Sequence, residues 1–344
     1  MSGHAQSSAV DVAVLLGDPR LPYPYALEER YGAEEKGAVD RLEAALARLD
    51  GFTFSYLDDH MALLDELRRR PPSLALNLCD MGFRNNTARE LNVPALLEIL
   101  DIPYSGANPA CMSLTADKCI VRSVARSLGI PVPNEEFVDL DADPLVLPAL
   151  YPALIKPNLT DGSFGITEDC VVHDAAEAER YLRWLADKLE RPEALIQDFL
   201  TGTEYTVGLI GNPGQGFTYL PPLEVDYSRL DPDLPPILSY ASKADPGSPY
   251  WQKLQFRQAQ IDEIGRGRLY DHCTLLFKRL GLRDYARFDF RAGADGEPRL
   301  LEVNPNPAWA WDGKFSLMAG YAGYSYRDLL RLILQAAMGR VGLV

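Results

Sequence analysis

The chain has 344 residues, of which 47% are hydrophobic and 24% charged, and its formal net charge is −15. A chain of this length accommodates two or three domains with a substantial core. The negative charge argues against a nucleic-acid or anionic-membrane partner, because phosphate groups attract basic surfaces. No apolar run reaches the roughly 18 residues that predict a transmembrane helix.

Targeting signals and cysteine spacing bear on the compartment. The first residues, MSGHAQSSAVDVAVLL, lack the basic region and the apolar stretch of a signal peptide. The five cysteines show no CxxC spacing, and their odd number leaves one over in any set of disulfides. Reduced thiols in a cytoplasmic protein are the simplest expectation.

Strand and helix patterns alternate through the N-terminal part of the chain. Strands are predicted at "VAVLLG" (12–17), "FTFSYL" and "LALNLC", and helices at 33–49, "MALLDELRRR" and "PALLEIL". This βαβα order predicts a mostly parallel sheet covered by helices.

A second group of elements follows. We expect a helix at 115–128, begun by Thr115 and ended by Gly129. A compact α+β unit comes next, with the strand "ALIKP", the glycine-bearing loop "NLTDGSFG", a helix at 175–189 and the strand "ALIQDFL". The remaining predicted elements are further strands from Glu204, a proline-rich stretch at 221–250, a helix around 258–280, a hairpin at 287–307 and a helix at 326–338.

The predicted hairpin, "RFDFRAGADGEPRLLEVNPNP", carries two carboxylates. If its turn centres on Asp295–Gly296, Asp289 lies opposite Glu302 and Arg287 lies opposite Asn304. Like charges directly opposed on a sheet are destabilising, so this face requires a counter-ion. Arg287 supplies one, and Mg²⁺, which binds carboxylates together with phosphates, supplies a stronger one. A solvated face with a chance Asp–Glu pair is the alternative.

Three other charged residues each allow two interpretations. Lys156 leaves the strand "ALIK" beside a flexible loop, which suits contact with a phosphate, or it extends into solvent. Lys118, in the first turn of its helix, either reaches a ligand anion or is solvated, since the helix dipole disfavours a cation there. Glu204 is an exposed strand charge or an acceptor for ribose hydroxyls. The stretch "GNPGQGF" (211–217) has no helix after it and predicts a hairpin turn.

Several enzyme classes lack support. The four histidines are far apart, and no GxSxG elbow, GxxxxGK[ST] loop or HExxH helix occurs. No cysteine has a recognisable histidine partner in the sequence. The chain therefore shows no familiar motif for covalent catalysis.

In order, four segments resemble the ATP-grasp superfamily and, within it, the D-alanine–D-alanine ligase branch. The segments are "IPYSG…ADK", "ALIKPNLTDGSFGI", "ALIQDFLTGTEYTVGLI" and "YARFDFRAGADGEPRLLEVNPNP". The resemblance runs from residue 93 to residue 334 and implies an α/β chain with the ATP-grasp fold. It implies an N-terminal parallel-sheet domain at 1–112, a small α+β lid domain at 113–200 and a C-terminal α+β catalytic domain at 201–344.

The resemblance also implies a nucleotide site. Lys118 and Lys156 would contact the ATP phosphates, and Glu204 would accept hydrogen bonds from the ribose hydroxyls. The adenine pocket would be lined by Gln197, Asp198, Phe199 and Leu200. In that pocket the Phe199 ring would pack on the base, and the backbone of residues 198 and 200 would contact the base edge.

Two loops of the family close over the nucleotide. The glycine-rich lid corresponds to Asn158–Gly165 and includes Ser163. The second, substrate-side loop corresponds to about residues 227–250. In this loop Lys243 would close onto phosphate, and Arg229 is the competing residue.

The hairpin carries the implied metal and catalytic groups. Asp289, Glu302 and Asn304 would hold two Mg²⁺ ions, for which Mn²⁺ could substitute. A substrate carboxylate would attack the γ-phosphate of ATP to give an acyl phosphate and ADP, and an amine would then attack the acyl carbon. Arg287, on the same face, would stabilise the oxyanion of that second step.

Departures from the family pattern concern the substrates. The serine that holds the acceptor carboxylate in the family aligns near Gly313, and the neighbouring residues Asp312 and Lys314 are the candidate substrate residues there. In "MGFRNNTARELNVP", Arg84 and Arg89 would grip a carboxylate, or they belong to a solvated helix start. We therefore expect substrates other than two D-alanines.

The sequence thus predicts an ATP-dependent carboxylate–amine ligase that joins small amino-acid-type substrates. Its partners would be small molecules. Because members of this family often dimerise through the N-terminal domain, the resemblance also implies that the protein could form a homodimer. The alternatives are an authentic D-alanine–D-alanine ligase of cell-wall synthesis and a non-catalytic nucleotide-binding protein.

Overall fold

The computed structural model describes residues 9–23, 26, 30–142, 144–159 and 162–343. Three β-sheets, with helices packed around them, make up this part of the chain. None of the helices within it combines the length and apolarity that crossing a bilayer requires. The five cysteines are free thiols.

The first sheet is parallel, as the alternating pattern predicts. Its strands are β1 (Val10–Leu15), β2 (Phe52–Leu57) and β3 (Leu74–Asn77), in the order β2-β1-β3. Its helices are α1 (Ala33–Leu46), α2 (Leu63–Arg69) and α3 (Asn92–Ile99). The central strand β1 is apolar from Val12 onward, and Val12 and Val14 pack in one core with Leu42 and Leu46 of α1.

Two helices, not one, occupy the segment immediately before Gly129. They are α4 (Pro109–Ala116) and α5 (Lys118–Ser127), so the expected helix at 115–128 is wrong at its start. Thr115 lies inside α4, where its hydroxyl donates to the carbonyl of Cys111 at 2.8 Å. Asp117 begins α5 instead, because its Oδ1 accepts a hydrogen bond from the backbone N–H of Ile120 at 2.9 Å.

The second sheet is antiparallel and carries one helix. Its strands are β4 (Glu135–Asp139), β5 (Ala153–Pro157), β6 (Val171–Val172) and β7 (Glu193–Asp198), in the order β4-β7-β5-β6. Helix α6 (Ala175–Lys188) packs on one face, where Ile155 and Ile196 join its core. Because side chains alternate along a strand, Lys156 and Gln197 lie on the opposite face.

The third sheet contains the hairpin. Its strands are β8 (Glu204–Asn212), β9 (Gly216–Tyr219), β10 (Leu223–Asp226), β11 (Gln255–Gln258), β12 (Tyr285–Ala292) and β13 (Pro298–Asn304). The order is β11-β10-β8-β12-β13, with β9 paired to β8. The accompanying helices are α7 (Ala241–Ala244), α8 (Pro249–Lys253), α9 (Glu263–Leu280), α10 (Lys314–Tyr321) and α11 (Tyr326–Val341). The stretch "GNPGQGF" is confirmed as the turn between β8 and β9.

The pairing of β12 with β13 is confirmed at the end that carries the charged residues. Arg287 lies opposite Asn304, and Asp289 lies opposite Glu302. Near the turn the register differs by one residue, because the Gly293 N–H bonds to the Glu297 carbonyl around a longer turn than the expected two-residue one.

A β-bulge in β13 restores the expected register. Phe290 pairs with Leu300, whereas Asp289 pairs with Glu302, so Leu301 is an extra residue. Leu300 and Val303 are buried in the core of the third sheet. The bulge therefore allows the two consecutive residues between them to reach the same side of the strand.

The three sheets fall within residues 1–112, 113–200 and 201–344 respectively. The domain limits themselves stay a prediction. Helix α5 packs on the third sheet, since Val121 and Ala125 share a core with Leu300 and Val303.

Candidate active site

A cavity lies between the second and third sheets. From the second sheet and the residues that follow it, the lining is Leu154, Lys156, Gln197, Asp198, Phe199 and Leu200. From the third sheet it is Glu204, Arg287, Asp289, Arg291, Leu301 and Glu302. The loops and α10 contribute Ser163, Ile166, Ile237, Leu238, Lys243 and Lys314. Most of the residues implied by the resemblance thus meet in one place.

Asp289 is held by several hydrogen bonds at the centre of the hairpin face. It accepts from the Thr206 hydroxyl at 2.6 Å, from the Arg287 guanidinium at 3.1 and 3.2 Å, and from Asn304 Nδ2 at 3.1 Å. Burial alone would raise the pKa of Asp289, but the charges of Arg287 and Lys314, together with these hydrogen bonds, lower it to about 2. Asp289 is therefore a carboxylate at neutral pH.

The oxygen atoms of this face suit a hard cation. Among the described residues, no three His, Cys, Asp or Glu side chains form a metal-binding group. The face instead offers the carboxylates of Asp289 and Glu302, directly opposite each other, and Asn304. Because Asn304 donates through Nδ2 to a carboxylate that can only accept, its Oδ1 stays available as a ligand. Such a set fits Mg²⁺, which completes its shell with water and phosphate oxygens.

Lys314 adds positive charge to the same cavity. It is the first residue of α10, where the helix dipole disfavours a cation. Burial lowers the pKa of Lys314. The negative charges of Asp289 and Glu204 oppose this shift, whereas the positive charges of Arg287 and Lys243 lower the pKa further. Its Nζ also lies 5.4 Å from the centre of the Phe256 ring. A bound anionic group would offset the mutual repulsion of these positive charges.

Lys156 is a buried lysine with a strongly shifted pKa. It is 4% exposed. Burial, and then the charges of Arg122 and Lys118, lower its pKa to about 7, against the opposing charges of Glu302 and Glu135. The solvated alternative for Lys156 does not hold.

Lys118 is buried beside the lid and does not belong to the cavity lining. It is 7% exposed, and its Nζ donates to the Asn158 carbonyl at 3.4 Å. This contact connects the start of α5 to the first residue of the predicted lid. The solvated alternative for Lys118 does not hold either.

Glu204 belongs to a buried cluster and is not an exposed strand charge. Its Oε2 accepts from the Tyr227 hydroxyl at 2.7 Å and from the Arg291 guanidinium at 3.3 Å. Arg291 also lies over the rings of Phe199, at 5.3 Å, and Tyr227, at 5.4 Å. The sequence reasoning missed Arg291, although the alternation in "RFDFR" puts it on the face of Arg287 and Asp289.

A second buried network, also missed, lies behind the cavity. Arg122 is fully buried, and its Nε donates to Glu135. Its Nη1 donates to the carbonyl of Leu301, the extra residue of the bulge, at 2.5 Å. Arg122 follows Lys118 by one helical turn, so both residues lie on one face of α5, which was the available signal. The network joins the second sheet to the hairpin.

The two predicted loops touch each other over the cavity. The Tyr240 N–H donates to the Ile166 carbonyl at 2.9 Å, and the Phe164 and Tyr240 rings meet edge to face at 6.4 Å. Ser163 and Lys243 line the cavity, whereas Arg229 is exposed and does not. Thr160 and Asp161 of the predicted lid lie outside the described residues.

Three residues predicted to bind substrate are absent from the cavity lining. Arg84, Arg89 and Asp312 are exposed and do not line it. Arg84 has a left-handed backbone with φ of 59°, and its N–H donates to His60 Nδ1 at 2.6 Å, which fixes its turn on the first sheet. A role for these three residues in substrate binding stays a prediction.

Comparisons with known proteins agree with this geometry. A family model described as D-ala D-ala ligase C-terminus matches residues 129–335. An uncharacterized protein of Sinorhizobium fredii, y4sG, is 30% identical over 311 residues, which cover 88% of each chain. A D-alanine–D-alanine ligase of Aquifex aeolicus is 28% identical over 243 residues, which cover 70% of this chain and 76% of the relative.

Solved structures share the fold. The D-alanine–D-alanine ligase of Bacillus anthracis complexed with ATP superposes with a TM-score of 0.70 at 21% identity, over 97% of this chain and 98% of that one. The VanG D-Ala:D-Ser ligase of Enterococcus faecalis gives a TM-score of 0.68 at 16% identity, over 96% of this chain and 100% of that one. The expected ATP-grasp fold is confirmed.

The fold and the family match together define an ATP-dependent carboxylate–amine ligase. The chain belongs to the D-ala D-ala ligase C-terminus family.

Proposed function

We propose that this ligase phosphorylates a small carboxylate with ATP and transfers the acyl group to an amine, and that its substrates are not two D-alanines. The observation that carries the proposal is the hairpin face. Asp289 and Glu302 lie opposite each other there, beside Arg287, in the cavity that Lys156 also lines. Phosphoryl transfer requires this combination of fixed cations and oxygen ligands around the phosphates.

The lysines would bind the phosphates. Lys156 and Lys243 line the cavity, and Lys118 lies beside the lid. The negative charge of a phosphate would favour the protonated form of Lys156, whose pKa of about 7 puts it near half protonation in the free protein. The side chain would thus gain its full charge when the nucleotide binds.

The hairpin would hold the metal and the acyl oxygen. Two Mg²⁺ ions, bound by Asp289, Glu302 and Asn304, would supply charge neutralisation on the phosphates. Arg287 is fixed by its two hydrogen bonds to Asp289, so its guanidinium would provide a preorganised positive charge beside an oxyanion. Loss of one such donor typically lowers the rate about 10²- to 10³-fold.

The contact between the two loops would keep water out of the cavity. Tyr240 and Ile166 join the loops by a backbone hydrogen bond. An acyl phosphate that meets water hydrolyses, so a closed site directs it to the amine.

The segment around Lys314 departs from the family pattern where the acceptor substrate binds. By its resemblance to the family, Gly313 stands near the position of the serine that holds the acceptor carboxylate. The ammonium group of Lys314, beside it in the cavity lining, would bind an anionic group of the substrate in place of that hydroxyl. Trp309 and Trp311 flank this segment but have other contacts: Trp309 packs on the core of the first sheet, and Trp311 lies 4.4 Å from the Arg41 guanidinium.

The second candidate is an authentic D-alanine–D-alanine ligase. The Aquifex aeolicus relative carries that name, and its similarity covers most of the chain. Under this candidate, phosphate release would depend on D-alanine alone.

We also infer small molecules as the partners, whereas a cytoplasmic location and a homodimer stay predictions.

A panel assay tests the proposal. The purified protein is incubated with Mg²⁺-ATP and pairs of amino acids and small acids, D-alanine included, and the nucleotide products are quantified. We expect ADP and phosphate with a pair other than D-alanine twice. Substrate-dependent AMP and pyrophosphate would refute the acyl-phosphate route, and release with D-alanine alone would support the second candidate.

Glu302→Gln tests the hairpin site. The variant should bind Mg²⁺-nucleotide more weakly and lose ligation while its circular dichroism spectrum stays unchanged, because a carboxylate ligand is replaced by a neutral amide. The matched control is Glu297→Gln, the same change on the same hairpin, where Glu297 pairs with Arg268 at 2.9 Å. Full turnover in the Glu302 variant would show that this face does not bind the metal.

A further inference from the structure

Arg122 is a fully buried arginine that is absent from the cavity lining. Its Nε donates to Glu135, and its Nη1 donates to the carbonyl of Leu301 at 2.5 Å. A buried charge is costly unless it is paired, and Glu135 supplies the opposite charge. Charge compensation does not account for the second contact, which joins the guanidinium to the backbone of the hairpin.

Strand β13 lies at the edge of the third sheet, so its outward backbone groups have no neighbouring strand. Two of these groups bind to α5 and to the residues that follow it. The Leu300 N–H donates to the Pro131 carbonyl at 2.9 Å, and the carbonyl of Leu301 accepts from Arg122. Both contacts lie at the β-bulge, in which Leu301 is the extra residue. The bulge is therefore held from outside the sheet.

The bulge decides which way Glu302 points. In a regular strand the side chains alternate, so Glu302 would lie on the same face as Leu300, which is buried in the apolar core. The extra residue shifts this alternation, and Leu301 and Glu302 both line the cavity. Glu302 then lies opposite Asp289. The position of one expected metal ligand thus depends on the backbone conformation of Leu301.

The charges of the neighbouring groups show that Arg122 lies close behind this face. Burial lowers the pKa of Arg122, whereas the negative charges of Glu135 and Glu302 oppose that shift. The positive charge of Arg122 also helps to lower the pKa of Lys156, which lines the cavity. A positive charge by itself repels a metal ion, so a favourable effect of Arg122 on metal binding has to come from the geometry that it imposes.

We propose that Arg122 is a positioning residue for the metal ligand Glu302. By binding the Leu301 carbonyl, it holds the bulge in the conformation that sets Glu302 opposite Asp289. The inference rests on the proposed function, in which this face binds Mg²⁺. An arginine suits the role because its guanidinium carries donors on separate nitrogens, one for Glu135 and one for the hairpin. Residues that orient a metal ligand without touching the metal typically change the metal affinity about 10- to 100-fold.

Calorimetric titrations with ADP, in EDTA and at a series of Mg²⁺ concentrations, test the inference without knowledge of the acid or the amine. Arg122→Lys keeps the positive charge beside Glu135, but its single nitrogen does not reproduce two donors on separate nitrogens. We expect the Mg²⁺ concentration at which half of the tightening of ADP binding is reached to rise about 10- to 100-fold. The dissociation constant of ADP in EDTA should stay nearly unchanged, because the charge near the phosphate-binding lysines is retained.

Arg126→Lys is the matched control. It is the same substitution one helical turn further along α5, on an exposed arginine whose guanidinium lies 3.9 Å from the same Glu135 carboxylate. It should keep the wild-type Mg²⁺ requirement, since the contact with Leu301 belongs to Arg122. A merely structural role for Arg122 would weaken ADP binding equally with and without Mg²⁺, and that result would overturn the inference.

The Glu302→Gln variant separates this inference from the proposed function. A raised Mg²⁺ requirement in Glu302→Gln with an unchanged one in Arg122→Lys would overturn the inference and leave the proposed function intact. ADP binding by the wild-type protein that does not depend on Mg²⁺ would overturn both.

A second variant decides the matter if Arg122→Lys fails to fold, as circular dichroism would reveal. Glu135→Asp keeps the buried ion pair, but its shorter side chain draws the guanidinium of Arg122 away from the Leu301 carbonyl. The Mg²⁺ requirement should rise in this variant as well. An unchanged requirement would contradict the positioning role.

Discussion

Lys156 makes nucleotide binding depend on pH in a defined direction. Its pKa of about 7 in the free protein means that it is half protonated at pH 7 and about 10% protonated at pH 8. A bound phosphate raises the pKa of this lysine, because the opposite charge stabilises the ammonium form. Binding therefore takes up about 0.5 proton at pH 7 and about 0.9 proton at pH 8.

The same pKa shift fixes the sign of the affinity change. Below pH 7 the lysine is already charged, and the affinity for Mg²⁺-ADP should vary little. Above pH 7 the proton has to be acquired on binding, so the dissociation constant should rise about tenfold per pH unit until the pKa of the complex is reached.

Calorimetry in buffers of different ionisation enthalpy measures the proton uptake directly. The slope of the observed binding enthalpy against the buffer enthalpy is the number of protons taken up. Lys156→Arg is the control, because a guanidinium stays charged throughout this range and should reduce the slope by the Lys156 contribution. A slope near zero at pH 8 in the wild-type protein would contradict this prediction, since Lys156 would then take up no proton when the nucleotide binds.

Two further predictions concern the buried charges. Arg122→Met should cost about 3–5 kcal/mol of unfolding free energy in urea titrations, because the buried Glu135 carboxylate loses its buried charged partner and keeps the exposed Arg126, at 3.9 Å, as a weaker one. The double variant Arg122→Met/Glu135→Leu should recover part of this loss, and a single-variant cost below about 1 kcal/mol would contradict this expectation. Lys314→Met should raise the KM of the substrate that carries the anionic group and leave the KM of ATP nearly unchanged. Initial-rate kinetics would measure both values. An equal rise in both KM values would place Lys314 at the nucleotide instead.

The sequence predicted the hairpin face well because two local differences offset each other. The turn is longer than the Asp295–Gly296 signal suggests, and the bulge at Leu301 returns Asp289 to the position opposite Glu302. A bulge has no fixed sequence signature, so its position could not be inferred from the alternation of residues.

Other features depended on contacts between distant segments. The break before α5 follows from Asp117 as a cap, a signal that was present in the sequence and overlooked in favour of Thr115. The partnership of Arg122 with Glu135 and Leu301 joins a helix, a strand and the hairpin, and periodicity within one segment does not reveal it. For Arg84 and Arg89, charge alone suggested a carboxylate site, whereas the fold leaves both exposed.

In the proposed reaction the substrate carboxylate attacks ATP on the hairpin face to form an acyl phosphate. Transfer of ¹⁸O from a doubly labelled carboxylate substrate, chosen from the panel assay, measures this step most directly. Each phosphate released should carry one ¹⁸O atom from the acid, because the carboxylate oxygen that attacks the γ-phosphate leaves with it. Unlabelled phosphate, or label recovered in AMP, would contradict it.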